Sequence, residues 1–386
     1  MKVILATGIY PPDIGGPATY VRHLAEELVG KGMEVTVITY TRQSSVPKSD
    51  EPWNIIRVDA SGGPILRWRR YAKVLKEHGS DADVVECFSS VSAGVPLRMA
   101  KLKRPKKLLR LGGDFTWERY TDMGRRRSLR SFMAKHPRLR FPMERLLKTF
   151  DHILFSTRFQ EELYELAYST LAQHSVIENA LPNQAPSPQP PPPAPAGQAQ
   201  GEGGRPHKKH DPLRLLYLGR FVKFKNLDRL LHAVAEIPHV TLTMVGEGLE
   251  RESLSALSRT LLLQGRVSIV PPVHGERIEQ VFAEHDLLVL PSLTEISPNA
   301  ALEARASGLP VLLTEENGLS AELRSGMILR PLLTVNDITK AILEVDHQYE
   351  ELAEAAAAPF TIERGWEKVA EEHIQLFTQL LTESSI

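Results

Sequence analysis

The sequence predicts an α/β protein made of two parallel-sheet domains. Two observations carry this. Short apolar runs alternate with amphipathic helices along both halves of the chain, and a long Pro-rich, then Gly-rich stretch at 183–212 separates the halves. A chain of 386 residues is long enough for two ordinary domains.

In chain order, "KVILAT" reads as the first strand. The helix "ATYVRHLAEELVGKG" follows, with Val21, Leu24 and Leu28 on one face and a glycine at its end. "EVTVITY", "DVVECF", "KLLRLGG", "HILFST" and "HSVIENA" supply the later strands of the first half. In the second half "LRLLYLG", "VTLTMVG", "RVSIV", "DLLVLPS" and "LPVLLTE" are strands. "NLDRLLHAVAEI", "LERESLSALSRTLLL", "RIEQVFAEH" and "NAALEARASG" are the helices between them. This alternation implies two Rossmann-like domains, residues 1–182 and 213–365, facing across a cleft with the linker between them. In such sheets ligands bind beyond the carboxyl ends of strands, so the loops that follow strands matter most.

Composition excludes several classes. The formal net charge is zero, so overall charge gives no reason to expect a nucleic-acid partner. One cysteine, Cys87, cannot form an internal disulfide; after the apolar "VVE" it reads as a small buried hydrophobe, and this usage suits a reducing compartment. The first apolar run is only about five residues before Pro-Pro and Gly-Gly, too short for a signal peptide. No stretch approaches the roughly 18 apolar residues of a membrane span. The expectation is a cytoplasmic protein.

Four loops could carry chemistry. In "GIYPPDIGGPATY", Gly15 and Gly16 precede a helix expected to start near Pro17 or Ala18. Glycines there let backbone amides approach an anion at the helix N-terminus, and a plain tight turn explains them equally. The spacing is not that of a dinucleotide fingerprint. In "LGRFVKFKNLDRLL", Arg220 and Lys225 could straddle a diphosphate or simply face solvent. "VGEGLER" puts Gly246 and Gly248 at another strand end, again as ligand approach or turn.

The fourth is "TEISPNAALEA" at 294–304. Ser297 and Pro298 read as N-cap and first helical residue of a helix running to Ala306 and ended by Gly308. Glu295 then lies ahead of the helix and Glu303 roughly 8 Å along its axis. The amides around Asn299 and Ala300 between them suit phosphate. Two carboxylates that accept hydrogen bonds from vicinal hydroxyls, with an anion site between, match a sugar nucleotide. A solvated helix carrying two glutamates is the plainer reading of this segment alone.

Taken together and in order, "GIYPPDIGGPATYVRHLAEELVGKGMEVTVIT", "VIENALP", "LGRFVKFKNLDRLL", "VGEGLER" and "DLLVLPSLTEISPNAALEARASGLPVLLTEENG" resemble the GT-B glycosyltransferases, specifically the retaining enzymes of family 4. The resemblance covers nearly the whole chain outside the linker. Glu295 and Glu303 match the family's paired-glutamate element, and Gly219, Arg220 and Lys225 match its Gly-Arg…Lys element. The resemblance implies that Arg220 and Lys225 bind the donor diphosphate and stabilise the leaving group. It implies that Glu303 binds the ribose, that Glu295 faces the donor sugar, and that Gly16 offers its amide to the diphosphate on domain closure. It implies no metal and no cofactor, and a saccharide or lipid-linked acceptor, as in cell-surface polysaccharide synthesis. It also implies that the last helix, 366–386, returns to the N-terminal domain with Trp366 as its anchor. A GT-B epimerase or a non-catalytic binding module are the rival readings.

Three further features stand beside the motif set. Asp114 in "RLGGDFTWERY" is a candidate to face the acceptor hydroxyl or donor sugar, against a structural loop aspartate. "DAD" at 81–83 reads as a strand-entry turn rather than a metal motif. Two departures from the family pattern are Pro271, in the loop that would meet the nucleobase, and Asn226, where glycine often follows the lysine. Finally, residues 98–148 hold seventeen Lys or Arg and four Asp or Glu, an asymmetry within a neutral chain. A solvated surface or an anionic membrane contact on the inner face fits it, the latter with Trp117, Phe132 and Phe141 available at the interface.

Overall fold

The computed structural model describes residues 1–13, 15–42, 50–181, 207, 209–273, 275–360 and 362–383. Most of the linker at 183–212 therefore lies outside the described residues. The chain divides into two compact units, one of residues 1–119, 130–180 and 364–386, the other of 120–129 and 181–363.

The first unit contains β1 (Lys2–Ala6), α1 (Gly16–Gly30), β2 (Glu34–Thr41), β3 (Asn54–Asp59), α2 (Pro64–Gly79), β4 (Val84–Cys87), α3 (Gly94–Ala100) and β5 (Lys106–Leu111). Next come α4 (Phe115–Asp122, its end in the second unit), α5 (Leu129–Lys135), α6 (Pro137–Leu147), β6 (His152–Phe155), α7 (Arg158–Ala167) and β7 (Gln173–Val176). The sheet is seven-stranded and parallel, in the order β3-β2-β1-β4-β5-β6-β7.

The second unit contains β8 (Leu213–Leu218), α8 (Leu227–Glu236), β9 (Val240–Val245), α9 (Arg251–Thr260), β10 (Val267–Val270) and α10 (Glu276–Ala283). It continues with β11 (Leu287–Leu290), α11 (Asn299–Ala306), β12 (Val311–Thr314), β13 (Ile328–Arg330), α12 (Val335–His347) and α13 (Tyr349–Ala357). Its six strands are also parallel, ordered β10-β9-β8-β11-β12-β13. A final helix, α14 (Trp366–Thr382), returns to the first unit.

The apolar runs become central strands because helices cover both faces. Val3, Ile4 and Leu5 of β1 and all of β11 and β12 are buried. Val21, Leu24 and Leu28 form the inner face of α1, each burial worth about 1.5–3 kcal/mol. That helix ends where Gly32 takes φ 80° and the Met33 amide donates to Leu28 O at 3.0 Å. α14 packs on α1 through Trp366, edge-on to Tyr20 at 5.0 Å and stacked on His23 at 4.9 Å.

Two strands escape the sequence reading. β3 is a half-buried edge strand and β13 has only three residues, so neither presents a long apolar run. Residues 120–129 also depart from the sequence-based division, which put them in the N-terminal domain. Arg126 reaches Asp228 at 2.5 Å and Asn226 Oδ1 at 3.0 Å, and the Leu129 amide donates to Thr294 Oγ1 at 2.9 Å. These bonds hold the segment to the second unit. The proposed interfacial aromatics need correcting as well: Trp117 and Phe132 are core residues, 2% and 0% exposed, and only Phe141 is open, at 65%. Cys87 is fully buried, which pushes its thiol pKa upward. Asp83 accepts from the Lys2 amide at 2.8 Å and Asp81 pairs with the Lys2 ammonium at 2.7 Å, so "DAD" ties the entry to β4. No helix among the described residues is long and apolar enough to cross a membrane.

Candidate active site

The second unit brings two strand-end loops together. The loop after β8 carries Arg220 and Lys225, and the loop after β11 carries Ser292 and Glu295. The Leu293 amide donates to Phe224 O at 2.8 Å and fastens one loop to the other. Across that junction the Lys225 ammonium sits 2.6 Å from Glu295 Oε1, which also accepts from Ser292 Oγ at 2.5 Å. Glu295 is held in its backbone too: its amide donates to Glu316 O at 2.9 Å and its carbonyl accepts from Gly318 N at 2.8 Å. Its side chain is 7% exposed and that of Lys225 15%, so this ion pair is poorly screened. Ser292 was not singled out from the sequence. Its signal is its place as the last residue of "DLLVLPS", three before Glu295.

Arg220 is exposed, and its guanidinium lies 5.9 Å from the Phe224 ring centroid with no carboxylate partner among the described residues. Asn226 answers one departure from the family pattern. It holds φ 59°, a left-handed conformation that glycine adopts freely and asparagine tolerates best among the other residues. Its Nδ2 donates to Leu332 O at 3.0 Å, which fixes the turn between Lys225 and α8.

α11 differs from the expected helix at its start. Pro298, not Ser297, occupies the N-cap position, and the helix begins at Asn299. Pro298 has ψ 88°, outside the helical range, while its carbonyl already accepts from the Ala301 and Leu302 amides. No side chain caps the helix, so its N-terminus keeps positive character. Gly308, φ 78°, ends it, with the Leu309 amide donating to Ala304 O at 3.0 Å. Glu303 lies one turn inside. No described group bonds or pairs with its carboxylate, and burial alone raises its pKa to about 7.

Gly246 and Gly248 have a packing explanation. Both hold positive φ, and a Cβ on Gly246 would lie 1.9 Å from Gly219 O and one on Gly248 2.3 Å from Phe221 O. The ends of β8 and β9 approach too closely for a side chain. Pro271, beyond β10, is exposed.

In the first unit Gly15 is the N-cap of α1, with φ 155°, and Gly16 its first residue. No side chain caps this helix, and Pro17 contributes no N–H. Asp114 is placed differently from the expectation that it faces a substrate hydroxyl. It is 1% exposed, its Oδ1 accepts from the Trp117 amide at 2.7 Å, and its Oδ2 accepts from Tyr164 Oη at 2.6 Å. It caps α4, and burial raises its pKa against these bonds. No cluster of three or more His, Cys, Asp or Glu that could hold a metal occurs among the described residues.

Each unit is a parallel α/β sheet, and in the second the loops after β8 and β11 gather Arg220, Lys225, Ser292 and Glu295. The glycosyl transferase 4-like domain matches residues 15–180 and the glycosyl transferases group 1 family matches residues 204–357. Between them they take in most of the chain, which belongs to the GT-B glycosyltransferases. An uncharacterized glycosyltransferase of Methanocaldococcus jannaschii is 26% identical over 333 residues, 83% of this chain and 82% of its own. Among solved structures, sucrose-phosphate synthase from Thermosynechococcus elongatus superposes with TM-score 0.79 at 19% identity, covering 99% of each chain. Anabaena HepE, in complex with UDP and glucose, superposes with TM-score 0.69 at 14% identity, covering 98% of this chain and 100% of its own. At these identities the two structures attest the fold.

Proposed function

We propose that this glycosyltransferase moves a sugar from a nucleotide-sugar to a hydroxyl of a saccharide or lipid-linked acceptor, with retention of anomeric configuration. The observation that carries the reading is the poorly exposed Lys225–Glu295 pair beside Arg220, with neither Arg220 nor the Glu303 carboxylate given a charged partner among the described residues. Arg220, Lys225 and the uncapped start of α11, around Asn299 and Ala300, take the diphosphate and stabilise the charge that develops on it as the glycosidic bond breaks. Glu303 accepts hydrogen bonds from the ribose hydroxyls. Glu295, held by Lys225 and Ser292, presents its remaining oxygen to the sugar. The acceptor hydroxyl attacks the face the leaving diphosphate vacates, and that diphosphate takes its proton. The charge stabilisation comes from side chains and helix, so the reaction is proposed to need no metal. The HepE complex with UDP and glucose supports a nucleotide-sugar as the donor class.

The test is a nucleotide-sugar binding panel followed by turnover with saccharide and lipid-linked acceptors. The product's anomeric configuration is then read by NMR. Retention is expected; inversion would overturn the mechanism. Product that forms without any acceptor would point to an epimerase, and binding without turnover on any acceptor to a non-catalytic module.

A further inference from the structure

The basic region of the first unit is not one surface. Part of it joins α2 to line a cavity of about 770 Å³. Arg69, Lys73 and Lys76 come from α2, and Lys101, Lys103 and Arg104 from the turn between α3 and β5, with no carboxylate in the wall. Lys73 pairs with Glu77 at 3.7 Å and Arg104 with Asp83 at 3.2 Å. Arg69, Lys76, Lys101 and Lys103 have no carboxylate partner among the described residues. The side chains of Ala72, Ala100 and Leu102 form an apolar floor that excludes water beneath them.

Cations at helix C-termini often do no more than offset the dipole, and both α2 and α3 end at this cavity. The magnitudes argue against that as a full account. Each helix end presents roughly half a negative charge, so two ends balance about one of the four unpaired cations. The cavity also lies on the entry edge of the sheet, where the chain leads into β4 and β5. β5 has six residues, which puts the Gly112–Asp114 loop roughly 20 Å away at the opposite edge. The cavity is therefore separate from the strand-end loops of the first unit, and its volume falls in the range of small-molecule sites.

We propose that this cavity is a second binding site, for a compact soluble anion carrying several phosphate groups. The exposed cations ring one open depression with an apolar floor, and a concave ring of charge suits a compact polyanion better than a planar membrane. Ser80 adds a hydroxyl that can donate to a phosphate oxygen.

The test uses inorganic tripolyphosphate and the full chain in an Arg220→Ala/Lys225→Ala background, which removes the donor-site cations. Calorimetry should show saturable one-to-one binding that weakens as salt is raised. Lys76→Glu/Lys103→Glu in that background should weaken it by at least roughly ten-fold, and Lys76→Gln/Lys103→Gln by less. Both variants should melt at the temperature of their parent. Equal affinity in parent and charge-reversed protein would overturn the proposal. So would binding to phosphatidylglycerol vesicles with none to tripolyphosphate, which would mark a diffuse lipid-facing surface. Loss of glycosyl transfer in the background does not bear on this readout.

Discussion

Glu295 and Glu303 stand eight residues apart and could hardly be kept more differently. Glu295 sits in a loop, accepts from Lys225 and Ser292, and is pinned through its own backbone to the segment after β12. Glu303 sits on α11, half-buried and without a partner among the described residues, and burial raises its pKa to about 7. One carboxylate has been given its counter-charge by the fold; the other is partly desolvated and receives none among the described residues. A buried charge without compensation is costly, so its persistence fits a group whose partner arrives with the substrate. The pair thus separates an organised charge device from a vacant acceptor of hydrogen bonds.

The largest test removes the counter-charge. Lys225→Ala should reduce kcat by roughly 100- to 1,000-fold, as expected when a donor to developing negative charge is lost. Steady-state kinetics of the variant with the preferred donor measures the loss. Turnover within two-fold of wild type would remove Lys225 from the diphosphate role.

The second test turns on Glu303. Hydrogen bonds from ribose need the carboxylate form, so donor affinity should fall as pH drops below about 7. Glu303→Gln should weaken the donor about ten-fold at pH 8 and abolish this dependence. Stability should move the opposite way. A carboxyl whose folded pKa lies above its ordinary 4.5 destabilises the fold increasingly as pH rises from there to about 7, and fully above it. Glu303→Gln should therefore be more stable than wild type at pH 8, by up to about 3 kcal/mol, and equal to it below pH 4.5. Denaturant melts at the two pH values check this; a variant less stable at pH 8 would show that Glu303 has a structural partner.

Much of this was legible in the sequence because strand-helix alternation, glycines at strand ends and the 294–304 segment are local patterns. The two parallel sheets follow from them, and the helices named from the sequence start within two residues of where they were expected. What the sequence withheld depends on tertiary neighbours. Nothing in "TEISPNAALEA" says that Lys225 would meet Glu295 and leave Glu303 alone, since the partner comes from a loop 70 residues away. The basic region misled in the same way: Trp117 and Phe132 look like interfacial aromatics beside so many cations, yet α4 and α5 turn them into the core. Asp114 looked available at a strand end, but the Trp117 amide and Tyr164 hydroxyl occupy it. Gly246 looked like a place for a ligand, and the nearest atom to its missing Cβ is a carbonyl of the neighbouring loop.

The smallest effect sharpens the comparison from the Glu295 side. Ser292 supplies one of two hydrogen bonds to Oε1, and Lys225 supplies the other with its full charge. Ser292→Ala removes a neutral donor and leaves the contact with Lys225 in place, so the carboxylate loses only part of its orientation. One hydrogen bond to a charged group within an intact network should then count for little, about three-fold in kcat, with donor affinity unchanged. Steady-state kinetics with the preferred donor measures both. A loss of kcat on the scale of Lys225→Ala would mean that orientation, not charge, is what the loop after β11 provides, and would move the weight of the site from the cation to the hydroxyl.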